Sequence, residues 1–369
     1  MTRPERLKDL TGKENLGLEL LERIVGVNAP KSFLRPQKFL YLYKILQRDI
    51  WNCLDAFYSS PENKWPNYCF VPLILAIRYA GAIFKVDVSK EENSQFIIDH
   101  KILFTIGTWN KTQGIYKFDE TLFEEITKSE FDGELSADIL TKIPEYCCYI
   151  EFPENFKIAT IRTYGFFALI SFNQYPLVHS KPVLELVIDA ENGFHHRCLT
   201  LENDFVTLIR DLLAYRKEFE GKLDLGFEAV ESYTEDAIKE QLSICLNSLF
   251  YLCCKNAEVT HNKKVEKIPS NPKPINKKID AADHPNVWNV GYRIGADIRK
   301  ARIEHEKQDN EAIVRNSPRP HMRTSHYHGY WIGKLDDLEN RKFILKWLAP
   351  IPVNVTPNNP IVTTIRNVK

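Results

Sequence analysis

The segment from Arg319 to His328 concentrates side chains that bind anions and exchange protons. Three of the chain's 10 histidines lie in it, at His321, His326 and His328, and Arg319 and Arg323 flank the first of them. A guanidinium group matches the geometry of a phosphate, and a histidine can donate to a phosphate or transfer a proton near neutral pH. Paired histidines can also act as acid and base in metal-independent RNA cleavage, where the 2′-hydroxyl is the nucleophile. The five side chains therefore predict an anion-binding or catalytic site.

Four aromatic residues accompany this cluster, namely Tyr327, Tyr330, Trp331 and Trp347. Exposed aromatic rings can stack on unpaired bases, so the four residues are candidate contacts to RNA. Aromatic residues on strands more often pack into a core, and that interpretation competes with stacking for Trp331 and Trp347. For the histidines, the competing interpretation is a hydrogen-bonded structural cluster.

A metal site is a third interpretation of the same histidines. His326 and His328 are two residues apart, a spacing that brings two imidazoles to one side of a strand. A catalytic zinc ion needs three protein ligands, however, and residues 319–331 contain no Asp, Glu or Cys. The arginines would also repel a cation. We therefore expect no metal and no other cofactor, and a zinc-dependent hydrolase is the least favoured class.

The composition favours a folded cytoplasmic protein without a membrane partner. With 44% hydrophobic residues, the 369-residue chain can bury a substantial core. No uninterrupted apolar run approaches the roughly 18 residues of a membrane span, and the first residues lack the apolar segment of a signal peptide. The 8 cysteines form no C-x-x-C motif, so we expect them to be reduced and buried.

The charge of the chain is unevenly distributed although its sum is zero. Residues 255–369 contain 21 Lys and Arg against 12 Asp and Glu, a net charge of +9, so residues 1–254 carry −9. A basic C-terminal third suggests a polyanion or an acidic peptide as its partner. The alternative is that the acidic and basic parts attract each other within the protein.

Local patterns predict an α+β fold with N-terminal helices, a central mostly antiparallel sheet, and a basic C-terminal helix plus β-hairpin. Apolar residues at helical spacing predict helices from Pro36 and over Ser94–Trp109. Asp119 is placed to cap another helix. Runs of β-forming residues follow between positions 146 and 199, where the Asn-Gly pair at 192–193 is typical of a hairpin turn.

Four regions follow from these patterns. We predict a helical N-terminal region over residues 1–100, an α+β core domain over 101–255, a polar linker or loop over 256–286, and a basic C-terminal region over 287–369. The linker is rich in proline and lysine, which is typical of a surface loop or a boundary.

A second pair of histidines, His195 and His196, lies on one of the predicted strands. Adjacent residues of a strand point to opposite faces, so these two cannot act together on one ligand. We interpret them as surface or edge residues rather than as a site.

A basic helix is predicted over Val287–Lys307. Its candidate contacts to a polyanion are Arg293, Arg299, Lys300 and Arg302. Gly291 and Gly295 lie one turn apart within it. Because glycine costs up to about 1 kcal/mol in a helix interior, this spacing suggests close approach of another backbone. The competing interpretation is an ordinary surface helix that tolerates two glycines.

The chain after residue 321 is predicted to form a β-hairpin. Its first strand, which carries or adjoins the predicted site, should pair with Phe343–Leu348, because residues 333–341 between them are polar and turn-like. On that first strand, alternation puts His326, His328 and Tyr330 on one face and Tyr327, Gly329 and Trp331 on the other.

The same residues carry a resemblance to a known family. The run Arg319-Pro-His-Met-Arg323, the run His326-Tyr-His-Gly-Tyr-Trp331, and the later Lys346-Trp347 and Pro352-Val-Asn354 resemble the C-terminal signature of AcrVA-type anti-CRISPR proteins. The specific family is the second type V-A family, which suppresses production of the CRISPR effector nuclease. Similar segments occur at 107–116, 119–120, 144–149, 165–168, 184–189, 275–278 and 291–299. The resemblance spans roughly Ile102 to Asn354.

That resemblance implies a function. Members of the family are described as lowering the amount of the type V-A effector: they recognise its N-terminal polypeptide as it is made, and the encoding mRNA is lost. We therefore expect a phage or plasmid protein in the cytoplasm of a bacterial host cell. Its expected partner is the effector's nascent N-terminal polypeptide, with the mRNA and the translating ribosome close by. The alternative is a metal-independent ribonuclease that acts directly through the His/Arg cluster, and the resemblance leaves open whether the protein itself cleaves RNA.

Overall fold

The computed structural model describes residues 51–60, 65–90, 93–132, 137–173, 180–191, 193–201, 235–261, 286–311, 321–334 and 341–353. Their helices and strands are, in chain order, α1 (Trp51–Ser59), α2 (Leu73–Phe84), α3 (Ser94–Thr112), β1 (Gly114–Phe118), α4 (Glu120–Thr127), β2 (Glu130–Asp132), β3 (Cys147–Glu151), β4 (Lys157–Ile158), β5 (Ile161–Phe172), β6 (Pro182–Ala190), β7 (Gly193–Thr200), α5 (Glu235–Cys253), β8 (Val259–His261), β9 (Asn286–Val290), α6 (Tyr292–Glu311), β10 (His321–Arg323), β11 (His326–Ile332), β12 (Lys342–Leu348) and β13 (Ile351–Val353). A 3-10 helix, Ala137–Lys142, lies between β2 and β3. Of the helix predicted from Pro36, the part before residue 51 lies outside these ranges.

A mixed central sheet has the strand order β7-β6-β5-β3-β1-β9-β8, and the short β4 pairs with β5. β1 runs parallel to β3 and β9, whereas the other pairings are antiparallel. The predicted α+β fold with N-terminal helices and a mostly antiparallel central sheet is confirmed. β9 follows the predicted linker and pairs with β1, so residues on both sides of positions 262–285 share one sheet. The division into four regions stays a prediction.

The central strands are apolar on both faces because helices cover both sides of the sheet. The whole of β6 from residue 183 to residue 190 is buried. Phe166 packs with Leu249 of α5 in one cluster, and its neighbour Phe167 packs with Ile102 of α3 in another. Successive residues of a strand point to opposite faces, which is why adjacent phenylalanines serve different clusters.

The N-terminal helices form a separate apolar cluster with α3. Leu54 of α1, Phe70 before α2 and Phe104 of α3 are buried together. An ion pair also connects α3 to α1, since Lys111 Nζ lies 2.8 Å from the Asp55 carboxylate. These contacts attach α1 and α2 to the helix that covers one face of the sheet.

The cap predicted at Asp119 is confirmed. Its Oδ1 accepts from the main-chain N–H of Thr121 at 3.0 Å and of Leu122 at 3.2 Å. These bonds satisfy donors in the first turn of α4 that have no partner within the helix.

A smaller sheet carries the predicted site. β11 and β12 form an antiparallel hairpin that runs from the pair His326–Leu348 to the pair Ile332–Lys342. β2 adds a third strand parallel to β11, while β10 pairs separately with β13. The predicted pairing of the histidine-bearing strand with Phe343–Leu348 is confirmed.

The predicted basic helix is wrong at its start. Residues Asn286–Val290 form strand β9, and α6 begins at Tyr292. The β-branched and aromatic side chains of Val287 and Trp288 suit a strand. Gly291 then adopts a φ of +70°, which separates β9 from the helix.

All eight cysteines are free, and most are buried, as predicted. Burial raises the pKa of the Cys198 thiol to about 12, so it stays protonated and unreactive. Across the ranges given above, no helix has the length and apolar character needed to cross a bilayer.

Candidate functional site

The hairpin β11–β12 has two faces with different surroundings. Directly paired residues share a face, so Tyr327 lies beside Trp347 and His328 lies beside Lys346. Tyr327 and Trp347 are 0% and 2% exposed, whereas His328 is exposed. We call the side that carries Tyr327, Leu345 and Trp347 the inward face. We call the side that carries His326, His328, Tyr330 and Lys346 the outward face.

Buried hydrogen bonds anchor the inward face to the rest of the protein. The Tyr327 hydroxyl donates to the main-chain oxygen of Asn247 in α5 at 2.6 Å. The Trp347 indole N–H donates to Ser129 Oγ at 2.9 Å. Burial raises the pKa of Tyr327 well above its ordinary value, so the hydroxyl remains a donor. The candidate role of Tyr327 and Trp347 as RNA contacts is wrong, because no base can reach rings that are enclosed in the core.

Hydrogen bonds from Lys255 and Asn256 satisfy main-chain groups at the outer edge of β12. The Lys255 N–H donates to the oxygen of Leu345 at 2.9 Å. The Asn256 side chain donates to the Trp347 oxygen at 2.8 Å and accepts from the Trp347 N–H at 3.1 Å. A strand edge satisfied in this way is not open for pairing with another chain. A ligand of the hairpin therefore has to approach its outward face or its tip.

The outward face presents two imidazoles, an aromatic ring and an ammonium group. The rings of His328 and Tyr330 are stacked with centroids 6.0 Å apart, and Lys346 Nζ lies 5.3 Å from the Tyr330 centroid. His326 is half-buried, with Nδ1 3.4 Å from the main-chain oxygen of Thr324. This arrangement can donate several hydrogen bonds to an anion while Tyr330 offers a planar surface to a base.

Trp331 occupies the tip of the hairpin and is 52% exposed. Its strand position has the same parity as Tyr327, but it lies beyond the part of the hairpin that the core covers. The guanidinium carbon of Arg341 lies 5.4 Å from the centroid of the Trp331 ring. The centroids of the Trp331 and Phe343 rings are 5.3 Å apart. Packing in the core is thus the correct interpretation for Trp347 and the wrong one for Trp331.

The described hairpin residues, 326–334 and 341–348, include no Asp or Glu. Their cationic side chains are Lys334, Arg341, Lys342 and Lys346. The parallel strand β2 places Glu130 and Asp132 at the main-chain positions that pair with His326 and His328. The hairpin itself presents only basic and neutral side chains, and the acidic residues of this small sheet belong to β2.

The five residues of the predicted cluster are not all brought together. Arg319 lies outside the described residues. His321 and Arg323 belong to β10 and pair with Val353 and Ile351 of β13, so they are on a different strand pair from the hairpin. Arg323 is exposed. The structure instead combines His326 and His328 with Lys346, which was not among the five predicted residues.

Two arginines of the predicted basic helix are bound within the protein. Arg299 Nη1 donates to both carboxylate oxygens of Asp119, at 2.8 and 3.0 Å, and to Thr121 Oγ1 at 2.8 Å. Arg302 makes a hydrogen-bonded ion pair with Glu125. In this structure their anions are the carboxylates of Asp119, which caps α4, and of Glu125 within α4. Their candidate role as contacts to a polyanion stays a prediction. Attraction between acidic and basic parts of the chain is the correct interpretation for α4 and α6.

Arg293 and Lys300 on the same helix are exposed. Arg293 Nε lies 3.8 Å from Glu258 Oε1, but the arginine side chain is 78% exposed, so this pair is weak. Both residues stay candidate contacts to an anion.

The two glycines at the start of α6 permit close packing on α4, as their spacing suggested. A Cβ at Gly295 would overlap the Asp119 carboxylate, and a Cβ at Gly291 would overlap the Leu122 side chain. The predicted contact with another backbone is wrong in detail, since side chains fill the space. A glycine at 295 lets the Asp119 carboxylate reach Arg299 and the first turn of α4 together.

A buried charged cluster that the sequence analysis missed lies on the central sheet. Glu185 of β6 is 0% exposed and pairs with Lys101 Nζ at 2.9 Å and with the His196 imidazole. Burial raises the pKa of Glu185, but the charges of Lys101 and His196 outweigh burial and bring it to about 2. The sequence signal was a glutamate inside the apolar run 183–188.

The interpretation of His195 and His196 as surface residues is therefore wrong, although β7 does lie at one end of the sheet order. His195 is 3% exposed, and burial together with the charge of Arg197 lowers its pKa to about 3. His196 is bound to Glu185. Neither imidazole is on the open surface, since His195 is 3% exposed and His196 is bound to the buried Glu185.

Groups of three or more His, Cys, Asp or Glu that could hold a metal ion do not occur within the described ranges. The hairpin side chains of the outward face are imidazole and ammonium groups, which can donate hydrogen bonds to an anion.

Comparison with known proteins places this α+β fold with its basic hairpin among the type V anti-CRISPR proteins. The chain matches the model of the anti-CRISPR type V subtype A2 family over residues 116–355. This match covers more than half of the sequence, and the chain belongs to that AcrVA2-like family. The matched span contains α6, the hairpin and the central sheet except the first two residues of β1.

A solved structure shares the fold. The crystal structure of AcrVA2 superimposes with a TM-score of 0.54 and 18% sequence identity, and the alignment covers 88% of this chain and 99% of that one. Among curated proteins, no sequence matches the chain. The resemblance noted in the hairpin motif and in the segments around β1, β3 and β5 is thus confirmed at the level of family and fold.

Proposed function

We propose that this protein is an anti-CRISPR factor that lowers production of a type V-A CRISPR effector nuclease in the cytoplasm of a bacterial host. In this proposal it recognises the effector's nascent N-terminal polypeptide, and the encoding mRNA is then lost. The observation that carries the proposal is membership of the anti-CRISPR type V subtype A2 family over residues 116–355. The partners are the nascent polypeptide, its mRNA and the translating ribosome.

The hairpin supports a contact with RNA. Its outward face combines His326, His328 and Lys346 with the Tyr330 ring, and Trp331 is exposed at the tip. Cations can neutralise phosphates while exposed rings stack on bases, which is the usual combination in proteins that bind single strands. In this proposal the outward face binds the mRNA, and the peptide binds elsewhere on the protein.

The test of this function is an effector-expression assay in a bacterial strain that carries the effector gene. Producing the protein should lower both the effector protein and its transcript. A synonymous recoding of the first effector codons should leave the effect intact, whereas changing the encoded N-terminal residues should remove it. Loss of the effect on synonymous recoding would contradict recognition of the polypeptide and would indicate recognition of RNA sequence.

A metal-independent ribonuclease is the second candidate function. The observation that favours it is the placement of His326 and His328 on one face of β11, with Lys346 opposite His328. One imidazole can remove the proton of the 2′-hydroxyl while the other protonates the leaving oxygen, and the lysine can stabilise the charged phosphate.

Incubation of purified protein with effector mRNA, in chelator and without ribosomes, separates the two functions. Cleavage that requires both histidines supports the ribonuclease. An intact transcript in vitro, together with transcript loss in cells, means that the protein acts through the translating ribosome or a host nuclease.

A further inference from the structure

A half-buried carboxyl group lies at the rim of the central sheet. Glu145 immediately precedes β3, and its oxygens accept from the Tyr116 hydroxyl at 3.0 Å and from the Gly114 N–H at 3.1 Å. Within the described part of the chain, no Lys, Arg or His forms an ion pair with it. Proteins seldom leave a buried carboxylate without a cation, because desolvation of the charge is costly.

An aromatic row adjoins this carboxyl group across three neighbouring strands. Tyr116 of β1 and Trp288 of β9 are direct register partners with parallel rings, whose centroids are 6.3 Å apart at an interplanar angle of 10°. His261 of β8 pairs with Trp288 in turn, at a centroid distance of 4.6 Å. Tyr116 is 2% exposed, whereas Trp288, His261 and Glu145 are each half-buried, so the row reaches the surface only at Trp288 and His261.

A cation bound at this position would offset the desolvation of the Glu145 carboxylate. Burial is the main cause that raises the pKa of Glu145, and hydrogen bonds from its neighbours lower it only in part. The Trp288 indole N–H helps to lower that pKa, although it makes no hydrogen bond of ordinary geometry. The negative faces of aromatic rings also attract cations. A carboxyl group beside aromatic rings is therefore the chemistry that binds an ammonium group.

We propose that Glu145 and Trp288 form a binding site for an ammonium group of the effector's N-terminal polypeptide, while the buried Tyr116 holds the Glu145 carboxyl group in place through its hydroxyl. The ammonium group is either the peptide's α-amine or the side chain of one of its lysines. This inference rests on the proposed recognition of that polypeptide. It assigns the peptide to the rim of the central sheet, on a different sheet from the hairpin.

The first experiment measures binding of a synthetic peptide, corresponding to the first 20 or so residues of a type V-A effector, to the full-length protein by calorimetry. Glu145→Gln keeps the shape of the side chain and removes its charge, and it should weaken binding by at least about tenfold. Trp288→Phe should weaken binding by a smaller factor, because a phenyl ring attracts cations less strongly than an indole. Glu154→Gln changes an exposed carboxyl group and is the matched control, with unchanged affinity expected.

Two peptide variants identify the source of the ammonium group. If the α-amine binds, N-acetylation should reproduce the loss seen with Glu145→Gln. If a lysine side chain binds, replacing the peptide lysines by norleucine should instead reproduce the loss of affinity seen with Glu145→Gln. In either case the modified peptide should no longer distinguish the wild-type protein from Glu145→Gln. A peptide affinity that does not change in Glu145→Gln or Trp288→Phe overturns the ammonium site and leaves the proposed function standing.

A small probe tests the site without a variant and without the peptide. Butylammonium should shift the Trp288 indole resonance in the wild-type NMR spectrum, and the neutral analogue butanol should not. If the wild-type protein does not bind the effector peptide but butylammonium shifts the Trp288 resonance, the ammonium site is supported. The proposed recognition of the effector peptide is then contradicted. If neither compound shifts the resonance, the site is overturned.

Discussion

The two pairs of strand-borne histidines have opposite environments. His195 and His196 lie on β7 of the central sheet, where the first is 3% exposed and the second is bound to Glu185. His326 and His328 lie on β11, where one is half-buried and the other is exposed beside Tyr330. The first pair is held by charges and packing, and the second is available to a ligand.

This difference shows that the identity of a histidine on a strand says little about its role. Adjacent histidines point to the two faces of the central sheet, and both faces are covered by helices. Histidines two residues apart point to one face of the hairpin, and only its other face is covered. The covering layers, which come from residues distant in sequence, decide which imidazoles can act.

The largest expected effect concerns the inward face of the hairpin. Trp347→Ala should lower the free energy of unfolding by about 4 kcal/mol, because it removes a buried ring and leaves Ser129 without its indole donor. Trp331→Ala is the matched control on the same hairpin and should cost less than about 1 kcal/mol, since Trp331 is 52% exposed. Urea unfolding, monitored by circular dichroism, measures the free energy of unfolding of both variants. Similar losses of stability in the two variants would contradict the difference between the buried face and the exposed tip.

A second prediction concerns acid stability and the β7 pair. The folded-state pKa of His195 is lowered from 6.5 to about 3, so the unfolded chain takes up a proton near pH 6.5 that the folded protein does not. The contribution of His195 is thus fully present above pH 6.5 and declines as the pH falls, by roughly 3 kcal/mol between pH 7 and pH 4.5.

His195→Gln should flatten this part of the stability curve. The contribution of Glu185, whose folded pKa is about 2, begins to fall only below about pH 4.5 and does not interfere in that window. Unfolding curves at half-unit pH steps provide the measurement. A slope that is identical in the wild type and in His195→Gln would place the acid sensitivity in another group.

A third prediction supplies a control that touches neither histidine pair. Gly295→Leu should lower stability by about 2 kcal/mol, because any side chain at this position displaces the Asp119 carboxylate from α4 and from Arg299. Thermal unfolding measures the loss. The variant also reports how much a general loss of stability reduces transcript lowering in cells, and an unchanged melting temperature would show that α4 and α6 can separate at little cost.

The smallest effect on stability is expected on the outward face. Replacing both His326 and His328 with Ala should change the free energy of unfolding by less than about 0.5 kcal/mol, yet it should abolish the loss of effector transcript. Peptide binding should survive in this variant. Arg323→Ala should weaken RNA association and reduce its dependence on salt, since each phosphate contact releases counterions.

Melting curves and a transcript-decay assay on the same preparations decide this prediction. A folded double variant that lowers the transcript as well as the wild type does would remove the outward face from the mechanism. A double variant that melts far below the wild type would show that these imidazoles, like the β7 pair, stabilise the fold.

Local patterns predicted much of the secondary structure correctly. The cap at Asp119, the helix over α3, the hairpin turn between β6 and β7 and the pairing of β11 with β12 all follow from side-chain types and spacings within short segments. The start of α6 was missed because apolar residues at 287, 290 and 294 fit a helical stripe as well as they fit a strand followed by a helix. Gly291 marks the end of the strand and the start of the helix.

The sequence by itself determined which residues share a strand face, where the hairpin lies, and which family the motif resembles, because backbone geometry fixes side-chain alternation within a few residues. Only the tertiary structure decided which face is covered. Asn247 of α5 and Ser129 after α4 enclose Tyr327 and Trp347, and Asp119 binds Arg299 from 180 positions away. Burial depends on what packs against a surface, and no local pattern contains that information.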